Sequence, residues 1–101
     1  MGINVLRAAH LHGVRVVVSV LSTCVFPERT QLPMSEVDLH SGPAAAAHEG
    51  YAVAKRGVET LSRLYSQQHG HEYMCVIPTN IYGTHDNFDL EAGHVLSLIH
   101  I

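Results

Sequence analysis

The residues best suited to proton chemistry are Tyr51 and Lys55. The stretch Tyr51-Ala-Val-Ala-Lys55 sets a phenol and an ammonium four residues apart, a spacing that shares one face of a helix. An ammonium beside a phenol favours the phenolate and lowers the phenol pKa. Tyr51 then becomes a proton donor or acceptor usable near neutral pH. The same spacing also describes an ordinary surface pair, worth only about 0.2–0.5 kcal/mol, so position must decide. Upstream, an apolar run ends in Leu21-Ser-Thr-Cys24. Side chains just past the carboxyl end of a parallel strand stand where open α/β sheets bind ligands. Ser22 can there hydrogen-bond a substrate carbonyl beside the tyrosine; in the alternative it satisfies local backbone. A later apolar run ends in Pro78-Thr79-Asn80. Two strand ends and one helix start are expected to converge on one crevice.

The elements that must hold these residues are legible in the hydrophobic pattern. Residues 3–12 read as the end of a helix, with Ile3, Leu6, Ala9 and His10 near one face and Gly13 as its stop. Arg15 to Leu21 is a β-branched run with little alternation, the pattern of a strand buried on both faces. Residues 22–50 hold Pro27, Pro33 and Pro43 and read as irregular, with a short helical turn near Glu36. Tyr51 to Gln68 is the clearest helix. Ala54, Val58, Leu61 and Tyr65 mark one of its faces, Lys55, Glu59 and Arg63 another, and Gly70 ends it. Glu72 to Ile77 is a second strand, closed by Pro78, and a helix start is expected near Gly93. The alternation predicts an α/β architecture with parallel strands. Two strands are too few for such a sheet, so the chain reads as a central piece of a larger doubly wound, Rossmann-like fold.

Composition removes several function classes. Across 101 residues, 6 Lys+Arg stand against 9 Asp+Glu, leaving no basic field for nucleic acid. No apolar stretch approaches the ~20 residues of a membrane span, and no secretory signal opens the chain. The 2 cysteines make no disulfide framework, which implies a reducing compartment, the cytoplasm. The pairs His10-x-His12 and His69-x-His71 lack neighbouring ligands at zinc spacing, so no metal is expected. Cys75, Tyr65 and Tyr73 read as packing residues.

Four segments carry a resemblance. They are Ser22-Thr-Cys-Val-Phe-Pro27, Gly50-Tyr-Ala-Val-Ala-Lys-Arg56, Val76-Ile-Pro-Thr-Asn-Ile-Tyr-Gly-Thr-His-Asp-Asn-Phe88 and Gly93-His-Val-Leu96. Together they resemble the GDP-L-fucose synthases of the extended short-chain dehydrogenase/reductase family. The resemblance implies 3,5-epimerisation of GDP-4-keto-6-deoxy-D-mannose, then reduction of its 4-keto group with NADPH. It implies that Ser22, Tyr51 and Lys55 form the reductase triad. It implies that Cys24 and His94 are the epimerisation base and acid, and that His85, Asp86 and Asn87 shape the site. It further implies that Pro78, Thr79, Asn80 and Ile81, with Tyr51, Lys55 and His94, line the NADP(H) site, and that the parent enzyme is a homodimer. The chemistry agrees with those types: a proton beside a ketone is acidified, and cysteine and histidine ordinarily titrate within about two units of neutral. The family's Gly-rich phosphate turn is not found in these residues. Residues 1–95 are therefore expected to be part of an NAD(P)-binding domain, inactive alone. Leu96 to Ile101 departs from the family and is expected to be a non-native tail.

Overall fold

The computed structural model describes residues 1–86 and 89. Helix α1 spans Gly2–Leu11, strand β1 Val16–Val20, helix α2 Glu49–His69 and strand β2 Glu72–Val76. Between β1 and α2 lie short 3₁₀ turns at Thr23–Val25, Glu36–Asp38 and Ala46–His48. The turn expected near Glu36 is present, and the Ser35 amide donates to the Asp38 carboxylate across it at 3.0 Å.

The ends of the helices follow from glycine. At the close of α1, the Val14 amide donates to the Ala9 carbonyl at 2.9 Å and Gly13 to His10 at 3.1 Å. This is the Schellman pattern, and it requires the left-handed φ of +69° that Gly13 adopts. Gly70 closes α2 in the same region, at φ 67°.

The two strands pair in parallel, with Val16 opposite Glu72 and Val20 opposite Val76. The ladder runs one residue past each end: Glu72 donates to the Arg15 carbonyl and Leu21 to the Val76 carbonyl, both at 2.8 Å. The α/β reading with a parallel sheet thus holds. Burial departs from the expected pattern. Val16, Val18, Val20, Met74 and Val76 are exposed, with Val18 at 54 %. Val17, Tyr73 and Cys75 turn the other way, into the core. Side chains alternate across a strand, and both helices pack on the Tyr73 face, so one face of the sheet is covered and the other is bare.

The core joins Leu6 of α1, Val58 of α2, Tyr73 of β2, and Leu21, Val25 and Leu39 from the segments between. The inward residues of α2 are Ala52, Val58 and Ser62. Ala54, read as part of that face, is exposed. The apolar lettering misplaces the stripe because small, polar Ser62 sits inside it. The flank of Val58, Leu61 and Tyr65 packs within the chain. Gly2 shows how closely α1 approaches it: a Cβ there would stand 2.6 Å from a Val58 methyl.

Candidate active site

The carboxyl ends of β1 and β2 lie side by side because the strands are parallel and in register. The chain leaving β1 and the chain leaving β2 therefore form two walls of one recess. Val20, Leu21, Ser22, Tyr51, Pro78, Thr79, Asn80 and Ile81 line it, around a cavity of about 280 Å³. Two strand ends and the first turn of α2 do meet in one crevice, as the spacing predicts. Tyr51 is half exposed at its edge.

Lys55 is held one helical turn further on. Its Nζ donates to the Val20 carbonyl at 2.8 Å and lies 5.6 Å from the centre of the Tyr51 ring. The lysine thus binds the end of β1 and presents its charge to the phenol ring together. Ser22 caps the Thr23–Val25 turn, its Oγ accepting from the Cys24 amide at 3.4 Å. Among the described residues, none accepts the hydroxyl hydrogen of Ser22.

Cys24 is a free, half-buried thiol. It does not line the Tyr51 cavity. A second recess, of about 460 Å³, opens next to the first, with Thr23, Phe26, Met34, Glu36 and Thr79 among its lining residues. Thr79 borders both spaces, and the Ser22–Thr23 segment faces one with each residue. His94 lies outside the described residues, as do Asn87, the helix expected near Gly93 and residues 96–101. His85 and Asp86 lie on the turn following Gly83. Cys75 borders the second recess from β2, and burial pushes its thiol pKa up. It is thus less than a pure core residue and poorly suited to act as a nucleophile.

Three features were not anticipated from the sequence. Arg56 donates from Nε to the Val25 carbonyl at 2.7 Å and from Nη1 to the Gly42 carbonyl at 2.9 Å. It follows the buried Ala52 by one helical turn, and that spacing is the signal that it points inward. Glu59 accepts from His40 at 2.8 Å and from Arg63 at 3.3 Å. Burial opposes its ionisation, but these two partners prevail and its carboxyl titrates below the usual range. At the other end of the sheet, the His10 and His71 rings are joined at 2.8 Å between Nδ1 and Nε2. Tyr73 stacks on His71, and His69 and Tyr65 meet the His10 ring at a tilt. Among the described residues, no group of three or more metal-ligating side chains is placed to hold an ion, and no helix is long and apolar enough to cross a membrane.

Known proteins give the same arrangement a wider setting. A GDP-L-fucose synthase of Dictyostelium discoideum is 48 % identical over 98 residues, covering 96 % of this chain and 31 % of the relative. A GDP-L-fucose synthetase from Naegleria fowleri, solved bound to NADP, is 43 % identical with a TM-score of 0.83, over 99 % of this chain and 34 % of that one. A GDP-D-glycero-L-gluco-heptose synthase from Campylobacter jejuni, solved in the presence of NADPH, is 26 % identical with a TM-score of 0.89, over 97 % of this chain and 29 % of that one. The chain spans about a third of the length of the relatives it matches. It also fits the pattern of one described family across residues 1–100. The chain therefore belongs to the NAD dependent epimerase/dehydratase family.

Proposed function

We propose that this chain is the central segment of a GDP-L-fucose synthase, which epimerises GDP-4-keto-6-deoxy-D-mannose at C3 and C5 and reduces its 4-keto group. The observation that carries this reading is the shared recess of Ser22, Tyr51 and Pro78–Ile81 at the strand ends. The 48 % identity to the Dictyostelium synthase narrows the substrate class.

The residues present fit the nicotinamide end of NADP(H). The recess offers a hydroxyl, a phenol and backbone beyond two strand ends, with an ammonium beside it. Tyr51, Lys55 and Pro78–Ile81 would hold that end, and His94 belongs to the same proposed set. When bound, the cofactor supplies the hydride for the reduction. Nothing among these residues repeats the Gly-rich turn that grips a pyrophosphate, so the 101-residue chain alone is expected not to turn substrate over.

The chain's own groups account for the proton movements. Ser22 donates its hydroxyl hydrogen to the 4-keto oxygen and polarises it. That polarisation acidifies the protons at C3 and C5. Cys24 removes one as base, and His94 returns one on the opposite face, inverting the centre. Tyr51 then gives its phenolic proton to the same oxygen as the alcohol forms. The phenolate left behind faces the Lys55 ammonium and regains its proton from solvent. One ketone and one set of donors thus serve both steps. The whole protein would be a homodimer.

A second reading rests on the Campylobacter heptose synthase, whose segment is as close in shape. That protein is named for another GDP-sugar, and this reading gives Cys24 and His94 no epimerisation step. A chimera separates the two: this segment replaces its counterpart in the Dictyostelium synthase. Formation of GDP-L-fucose supports the first reading. Reduction without deuterium uptake from heavy water at C3 and C5 supports the second.

A further inference from the structure

We propose that Arg56 is a positioning residue that holds the Ser22–Cys24 turn at a set distance from Tyr51. The inference rests on the assignment of Cys24 as base, and deepens it. Lys55 and Arg56 are neighbours on α2, yet their side chains end on opposite sides of the turn. Lys55 binds the Val20 carbonyl, just before Ser22. Arg56 binds the Val25 carbonyl, just after Cys24, at 2.7 Å. The four residues between those two carbonyls include both Ser22 and Cys24. Each end of the catalytic turn is thereby tied to the helix that carries Tyr51.

The second arm of Arg56 extends the clamp. Nη1 binds the Gly42 carbonyl at 2.9 Å, where the long connection returns to α2. The strand-like bridge between Pro27 and Ala44 follows each of these two anchor points by two residues. The guanidinium therefore closes the base of the loop that runs from Val25 to Gly42. Nη2 is buried with no hydrogen-bond partner among the described residues. Among the described residues the charge therefore serves main-chain carbonyls, with no carboxylate bonded to it. A helix-borne fork with two donors in one plane fixes both carbonyls together, whereas lysine has a single ammonium and a flexible stem.

The test uses both the chain itself and the chimera. In the 101-residue chain, Cys24 and Cys75 are the only thiols, so Cys75 on β2 serves as an internal reference. In R56M, alkylation of Cys24 by iodoacetamide should rise at least about threefold relative to Cys75, because the turn is released while the sheet is not. R56K should recover part of the difference. An equal rise at both thiols, or none, overturns the proposal. In the chimera, R56M should lower kcat for deuterium exchange at C3 and C5 about tenfold or more with KM little changed, a loss of alignment and not of binding. Unchanged exchange in R56M overturns the proposal. C24S is measured beside it: if C24S retains exchange, the assignment of Cys24 itself has failed, whatever R56M does.

Discussion

At the scale of single residues, the site is a division of labour among groups on three segments. Tyr51 is half exposed on α2, so a ligand reaches it without rearrangement of the core. In the chimera, Tyr51→Phe should lower kcat for reduction by about a hundredfold or more, the usual contribution of a positioned general acid. Deuterium exchange at C3 and C5 should fall much less, and the contrast between the two rates checks the assignment. The thiols differ for a physical reason. Burial holds Cys75 in its protonated form, and only the thiolate is an effective nucleophile. Mass-spectrometric mapping after brief alkylation near neutral pH should therefore find label on Cys24 before Cys75. Label first on Cys75 would contradict the packing of β2.

At the scale of elements, two contacts set how the helices meet the sheet. Leu6 is 1 % exposed and is the fully buried residue of α1. Leu6→Ala should cost about 2–5 kcal/mol, the range for deleting a buried leucine side chain, read from urea unfolding. The other contact is the histidine pair joining α1 to the entry of β2. Desolvation, together with the nearby His69 and His71, lowers the pKa of His10. A base depressed in the folded state binds fewer protons there than when unfolded. Its contribution is full above the ordinary imidazole value of about 6.5 and is lost as pH falls through the lower folded value. The thermal midpoint should therefore drop on acidification through this window, and His10→Gln should flatten the drop. Glu59 acts in a separate, more acidic window. Its contribution is present above the usual carboxyl range and disappears as the depressed folded value is crossed. A profile with no inflection between neutrality and the carboxyl range would contradict the His10 contact.

At the scale of the whole molecule, the dominant feature is a sheet covered on one side. Parallel sheets are ordinarily covered on both faces, and here Val16, Val18, Val20, Met74 and Val76 remain exposed. An apolar surface of this kind associates or binds hydrophobic dyes. The chain should bind a naphthalenesulfonate dye strongly at micromolar concentration. The double variant Val18→Lys with Met74→Lys should lose most of that signal while the far-ultraviolet circular dichroism is kept. Retained dye binding in the variant would place the sticky surface elsewhere. The relatives are about three times longer than the segment they match.

Sequence alone determined the order of elements, the parallel sheet and the meeting of Ser22, Tyr51 and Pro78–Asn80 in one crevice, whereas Cys24 does not line it. Period, glycine stops and valine runs are local properties, and Ser22, Tyr51 and Pro78–Asn80 are placed by strand ends and a helix start, which are also local. It did not determine which face of β1 is covered, because an unbroken valine run reads the same whether one layer or two lie against it. It began the inner stripe of α2 at Ala54, where the buried positions are Ala52, Val58 and Ser62. It gave no sign of the Arg56 bonds to Val25 and Gly42, which join residues far apart in the chain. Those contacts exist only once the loop has folded back on α2, since hydrogen bonds to main-chain carbonyls can be made at any residue and so leave no mark on its partner's identity.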